Sequence, residues 1–288
     1  MTTYAVTGAT GKLGDAAVRA LLDRGVAAAD VVAIVRDPAK AAPLRTKGVD
    51  VRTADYGDPG ALRAALSGVE RLLLVSGSEV GQRVDQHRNV IEAAKAAGVA
   101  LIAYTSILRA DTSPLSLATE HVATEELLND SGIPSVFLRN GWYWENYLAS
   151  APTAVETGTL FGSAGDGVIA AASRLDYASA AAAALVDATG GEVYELAGDE
   201  HLTYAQIAQA IAEISGRPVG YRDLAEADYA AALTDAGIPA PMAAVLADSD
   251  AGVAKGALDS DSTDLQKLIG RSSTPLAEVL RTGLAATD

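Results

Sequence analysis

From Thr3 onward, short apolar runs rich in β-branched residues alternate with longer stretches of helical period. "TYAVTG", "VVAIVR", "VDVRTADY", "RLLLVS", "ALIAYTS" and "PSVFLRN" have the length and composition of buried strands. A helix is predicted after Gly14 to about Arg24, and another in "HRNVIEAAKAAG", where the final glycine supplies the stop. "EVYELAG", residues 192–198, fits a seventh strand, and the alanine run "YASAAAAALVDATG" before it fits a closely packed helix. Continuous apolar strands joined by helical crossovers predict a parallel sheet covered on both faces, an α/β fold of the Rossmann, doubly wound type. Beyond residue 198 the pattern turns helical, in "LTYAQIAQAIAEISG", "EADYAAALTDAG", "PAPMAAVLADSDAG" and a last helix entered at Thr274 and Pro275. We therefore expect a Rossmann domain over 1–150, completed by the strand at 192–198. A smaller, mainly helical lobe over 151–288 is interleaved with it.

Composition narrows the class. Hydrophobic residues make up 49% of the 288, yet no apolar run approaches the roughly 20 residues of a membrane span. A strand pattern beginning within four residues of the first methionine leaves no room for a targeting segment, so a cytoplasmic protein is expected. There are no cysteines, which removes thiolate nucleophiles, disulfides and cysteine metal sites. With 22 basic and 37 acidic side chains the net charge is -15, which repels phosphate backbones, and nucleic acid is not an expected partner.

The first strand runs into "TGATGKLG", which sets Gly8, Gly11 and Gly14 at G-x-x-G-x-x-G spacing on a strand-to-helix turn. In that context the glycines allow a tight turn, close approach to a pyrophosphate and close packing of the helix. The second strand ends in Arg36, a basic group where a 2′-phosphate would lie, so NADP is preferred to NAD. Lys40 follows closely, and Asp37 between them is an alternative ribose ligand. Asp55, ending the third strand, is placed for the adenine, and Ser76, Gly77 and Ser78 follow the fourth strand where the sheet order reverses.

Two further stretches carry candidate chemistry. "RNGWYWENY" gathers Trp142, Tyr143, Trp144 and Tyr147 after the sixth strand, both tryptophans of the chain among them. Flat rings at a strand's carboxyl end suit a planar substrate, with Asn140 and Gly141 offering polar groups beside it. Packing between lobes is the competing explanation, which leaves one or two of the rings for a pocket. Arg174, near Asp176, is a candidate for pairing or cofactor contact. "TEHVATEELL" places Glu120, His121 and Glu125 at helical spacing, open to three readings: a metal site, a histidine acid held by Glu125, or a packed structural histidine. Only His87, His121 and His201 exist, too few for a metal cluster, and no metal is expected. His121 shares a stripe with Leu117 and Leu128, which favours packing and leaves it a weak catalytic candidate.

The segments "VAIVRDPAKA", "ADYGD", "SGSEVGQRVDQHRNVIEAAKAAGV", "AYTSILRADTSPLSLATEH", "LRNGWYWENYLASAP" and "YELAGDE", with "TGATGKLG", resemble the NmrA-like branch of the atypical short-chain dehydrogenases, and within it the bacterial NAD(P)H:quinone oxidoreductases of type 2. That resemblance spans nearly the whole chain. It implies a two-lobed, flavin-free oxidoreductase in which NADPH lies along the Rossmann domain and a small-molecule quinone enters the cleft between the lobes. Carried over, the cofactor contacts are Gly8, Ala9, Thr10, Gly11, Lys12, Leu13, Arg36, Ser76, Gly77, Ser78, Asn140, Gly141, Trp142 and Tyr143. The substrate contacts are Thr105, Ser106, Trp142, Tyr143 and Tyr147. The Tyr-x-x-x-Lys pair usual in short-chain dehydrogenases is missing, and His121 with Glu125 occupies its four-residue spacing. The alternative is an NADP(H)-binding redox sensor with little turnover; a sugar-nucleotide epimerase or reductase is disfavoured by the missing pair. The state of association, monomer or homodimer, is open.

Overall fold

A computed structural model describes residues 2–285. The six strands read from the amino-terminal half are β1 (Tyr4–Val6), β2 (Val31–Val35), β3 (Asp50–Thr53), β4 (Arg71–Leu74), β5 (Leu101–Ile107) and β6 (Ser135–Asn140). Together with Val193–Leu196 they form a seven-stranded sheet in the order β3-β2-β1-β4-β5-β6-(193–196). Registered pairs such as Tyr4↔Val31, Tyr4↔Arg71 and Ile102↔Ser135 are parallel. The order reverses between β1 and β4, as in a doubly wound Rossmann sheet.

Helices α1 (Lys12–Asp23), α2 (Ala42–Thr46), α3 (Pro59–Ala65), α4 (Arg83–Ala97) and α5 (Ala118–Ser131) occupy the crossovers. Alternate strand residues Ala5, Val32, Ile34, Leu72, Leu74, Ile102, Tyr104 and Phe137 join Leu62, Val90, Ile91 and Leu128 in one buried core, on the side of α3, α4 and α5. On the opposite side, α1 packs against the helix Arg174–Asp187. That helix buries Ala178 and Ala180 to Ala184, and methyl-sized side chains let two helices approach closely. Gly98, the predicted stop of α4, is its left-handed cap at φ 76°. Helix α1 begins at Lys12, three residues before the start expected from sequence, so Gly14 lies inside the helix.

The chain divides into two compact units. One holds residues up to Ala110, Thr119–Asn140 and Arg174–Glu195; the other holds Asp111–Ala118, Gly141–Ser173 and the chain from Leu196. The second unit is mainly helical, with Tyr204–Ser215, Glu226–Asp235, Ala240–Val253, Asp264–Ile269 and Leu276–Ala285. A reciprocal cap between Thr203 and Gln206 starts the first of these. The unit also carries two small ribbons absent from the sequence reading. Thr159–Gly162 pairs in parallel with Gly220–Asp223, and Val168–Ile169 pairs antiparallel with Leu202–Thr203. Strands of two to four residues are too short to show an alternation.

Candidate functional site

The carboxyl ends of β1 to β4 surround a cavity of about 280 Å³. Into it the structure brings Gly8, Thr10, Gly11, Lys12, Leu13, Arg36, Asp55, Ser76, Gly77 and Ser78, all named from sequence, with Tyr56, Glu79 and Gln86, which were not. Ala9 is fully buried and its amide is bonded to Ile34 O at 3.2 Å, so it supports the loop from beneath. Gly8 has φ +59°, a left-handed conformation natural to glycine. A Cβ on Gly14 would stand 2.3 Å from Gly8 O and 2.7 Å from Gly8 C, so helix and loop lie backbone on backbone. No side chain caps α1 at Gly11, and the first-turn amides of a helix have no partners within it. The cradle thus offers what a pyrophosphate requires: bare backbone donors, a positive helix end and no side chain in the way. Gly14→Ala should force the loop off the helix. We expect a loss of about 1–3 kcal/mol in stability from overpacking and at least tenfold weaker NADP⁺ binding by calorimetric titration. Unchanged binding would show that the loop does not hold the dinucleotide.

Arg36 stands just past β2, largely exposed, with Nη1 3.0 Å from Glu79 Oε1. Asp37 caps the following turn by accepting from Ala39 N at 2.9 Å, which commits one carboxylate oxygen to local structure. Asp55 likewise accepts from Gly57 N at 2.7 Å. The loop after β4 is fastened from three sides. Gly77 N donates to His87 Nε2 at 3.0 Å, Arg83 Nε donates to Gly77 O at 2.7 Å, and Gly81 N donates to Glu120 Oε1 at 2.8 Å. Because His87 Nε2 accepts, its proton is on Nδ1, bonded to Thr124 Oγ1 at 3.0 Å, whose hydroxyl passes to Glu120 O at 2.8 Å. Thr105, buried within β5, accepts from Ser76 N at 2.8 Å and so braces the same loop. These partners lie 6 to 39 residues from the atoms they hold, and no regular spacing announces them.

"TEHVATEELL" resolves into three separate partnerships. Glu120 pairs with Arg83 at 3.0 Å. His121 Nδ1 shares a 2.7 Å hydrogen bond with the Tyr104 hydroxyl, and burial, with the charge of Arg83 adding to it, pushes its pKa down to about 3. Glu125 does not hold the histidine. Its Oε1 accepts from Ser106 Oγ at 2.5 Å and Arg139 Nε at 3.1 Å, and its Oε2 accepts from Arg139 Nη2 at 2.8 Å. A buried carboxylate takes a guanidinium fork over a neutral imidazole because two bonds from a cation outweigh one from an uncharged donor. Ser106 lies in β5 and is 5% exposed. Among the described residues no cluster of three or more His, Cys, Asp or Glu has metal-binding geometry.

The aromatic stretch divides. Trp144 and Tyr147 are 0% and 5% exposed, in an aromatic series continuing to Tyr204 and Tyr221 with centroids 5.4 to 6.2 Å apart. Tyr204 donates to Asp250 Oδ1 at 2.5 Å, and burial raises the Asp250 pKa to about 6. Trp142 and Tyr143 are half-buried, and Tyr143 bridges to Ala172. Asn140 closes β6 with 4% exposure, and its Oδ1 has no hydrogen-bond partner among the described residues. Gly141 is buried, its amide donating to Leu196 O at 2.9 Å. Arg174 and the buried Asp176 open the helix Arg174–Asp187.

Known proteins match this arrangement along its length. Quinone oxidoreductase 2 of Escherichia coli K12 is 58% identical over 275 residues, covering 95% of this chain and 96% of that protein. The crystal structure of an E. coli NADPH-dependent quinone oxidoreductase complexed with NADPH superposes with a TM-score of 0.94 at 56% identity, covering 99% and 100% of the two chains. The Citrobacter sp. triphenylmethane reductase complexed with NADP(H) has a TM-score of 0.92 at 37% identity, covering 98% and 100%. The model of the NmrA-like family matches residues 2–276, and the chain belongs to that family.

Proposed function

We propose that this protein is an enzyme that reduces quinones by two electrons with NADPH, without flavin. The observation that carries the reading is the full-length 58% match to an enzyme named for that substrate, on a fold whose cavity is built for a dinucleotide. Bound NADPH supplies the hydride. The chain's own residues bind and orient: the amides of Lys12 and Leu13 in the first turn of α1 serve the pyrophosphate, Arg36 the 2′-phosphate, Asp55 the adenine side, and Ser76 to Ser78 the loop beyond. The unpartnered Asn140 Oδ1 fits a carboxamide donor of the nicotinamide. Trp142 and Tyr143, the two rings of their stretch left half-buried, are the candidates for stacking on the quinone.

The missing Tyr-x-x-x-Lys pair agrees with this chemistry. Reduction of a simple ketone leaves an alkoxide whose conjugate acid has a pKa near that of water, ~16, and a protein acid is needed. Reduction of a quinone leaves a phenolate-like oxygen with a conjugate acid near about 10, which solvent can protonate. Positioning alone then contributes ~7–11 kcal/mol of barrier lowering. No helix among the described residues is long and apolar enough to cross a membrane.

The test is quinone-dependent oxidation of NADPH and of NADH by the purified, flavin-free protein, with the uncatalysed rate subtracted. Saturable turnover preferring NADPH is expected. Tight NADP⁺ binding without turnover would transfer the assignment to a redox sensor. In the same assay Arg36→Glu should raise the KM for NADPH far more than for NADH, and equal losses would remove Arg36 from 2′-phosphate recognition.

A further inference from the structure

We infer that Glu79 is a specificity-determining residue that opposes Arg36, narrowing the preference for NADP(H) over NAD(H). The inference rests on the NADPH reading above and adds a residue that the sequence did not point to. Glu79 lines the same cavity wall as Arg36 and Gln86. Its two oxygens are separately engaged: Oε1 accepts from Arg36 Nη1 at 3.0 Å and Oε2 from Gln86 Nε2 at 2.8 Å. The backbone beneath it is fixed on both sides, at Gly77 by His87 and Arg83 and at Gly81 by Glu120. A carboxylate held this way is a placed charge, in contrast to a surface glutamate free to swing into solvent. Asp55, the other carboxylate of the wall, accepts from its own turn at Gly57 N.

The two forms of the cofactor differ at one position of the adenosine ribose, and Glu79 meets that difference with the opposite sign to Arg36. A 2′-phosphate carries nearly two negative charges. To reach the guanidinium it must displace a carboxylate or share the fork with it, and in either case like charges are brought together. A free 2′-hydroxyl is a donor, and an acidic side chain beside it is the usual acceptor for NAD. Arg36 therefore favours the phosphate and Glu79 favours the hydroxyl, from opposite sides of one ion pair. The wild-type selectivity is the difference between them.

The measurement is calorimetric affinity of wild type and Glu79→Gln for NADP⁺, NAD⁺ and the fragments 2′,5′-ADP and 5′-ADP. The amide keeps the size of the side chain and an acceptor for Gln86 while removing the charge. The ratio of NADP⁺ to NAD⁺ affinity should rise by about fivefold, the upper end for an exposed ion pair, with the same change in the fragment ratio and a smaller one at high salt. An unchanged ratio in a variant whose wild type binds NADP⁺ overturns the role of Glu79 alone. A lower ratio overturns it too, and would make Glu79 a support that aims Arg36 at the phosphate. Wild-type protein that binds none of the four ligands overturns the NADPH reading, and this inference with it.

Discussion

Acidification from pH 7 to pH 4 should destabilise this protein by about 4 kcal/mol, with the loss beginning near pH 6.5 and driven by two histidines that are buried neutral. His87 and His121 both have pKa values lowered from 6.5 to about 3, first by burial and then by the nearby charge of Arg83. A group with a depressed folded pKa binds fewer protons folded than unfolded through the whole interval between the two values. Stability is therefore complete above pH 6.5 and declines as pH falls toward 3. At about 1.4 kcal/mol per pKa step, each histidine takes away about 3.5 kcal/mol between pH 6.5 and pH 4, against a total domain stability of about 5–15 kcal/mol. Asp250 acts in the other direction. Its carboxyl, raised by burial from 3.8 to about 6, takes up a proton in the folded state as pH falls through that window, adding about 3 kcal/mol. The histidines outweigh it. Urea unfolding at pH 7, 6, 5 and 4 should show a midpoint falling at each step, and His121→Gln, which cannot titrate, should flatten the slope. A midpoint level from pH 7 to 4 would show that neither histidine is held neutral by the fold. At pH 7 the same variant should retain turnover, since a histidine 7% exposed and bonded to Tyr104 is placed to pack and not to donate protons.

These histidines also mark where a sequence stops being readable. The strands were legible because β2 and β5 are buried at every position and so appear as unbroken apolar runs. The glycine turn into α1 was legible because its glycines meet one another within a single turn, Gly14 against Gly8. What spacing could not show is which of two plausible partners a polar side chain takes once distant strands are brought together. His121 and Glu125 are neighbours on α5, yet each takes its own partners, one Tyr104 of β5 and the other Ser106 of β5 with Arg139 of β6. The place of Arg36 at the end of β2 was legible, but its ion pair comes from Glu79, 43 residues away on the loop after β4. The same limit applied to the rings. "WYWENY" announced an aromatic concentration, and only tertiary packing decides that Trp144 and Tyr147 join Tyr204 in a core while Trp142 and Tyr143 stay half-buried.

Truncating Glu125 should be among the most destabilising single changes available in this chain. Its carboxylate and the Arg139 guanidinium are 8% and 10% exposed and joined at 2.8 Å. Burial works against the Arg139 charge, while its hydrogen bonds and ion pairs with Glu125 and Glu195 more than offset that, leaving its pKa above the ordinary value. Glu195 Oε2 also accepts from Arg109 N, a residue at φ 51°, so the network fixes an uncommon backbone conformation as well. Glu125→Ala removes two bonds to Arg139 and one to Ser106 and leaves a buried cation with less compensation. Breaking a buried pair from one side costs about 3–5 kcal/mol, which lowers Tm by roughly 10 °C for a protein of this size. Replacing both partners, as in Glu125→Leu with Arg139→Met, should recover much of the loss, because the expensive element is the unmatched charge and not the missing contact. Had Glu125 been oriented toward His121 as half of a substitute catalytic dyad, Glu125→Gln would abolish turnover at an unchanged Tm. The network predicts the reverse: a lowered Tm, with turnover per folded molecule retained. Thermal unfolding and steady-state rates on one preparation separate the two, and loss of turnover at unchanged Tm would overturn the structural role assigned to this pair.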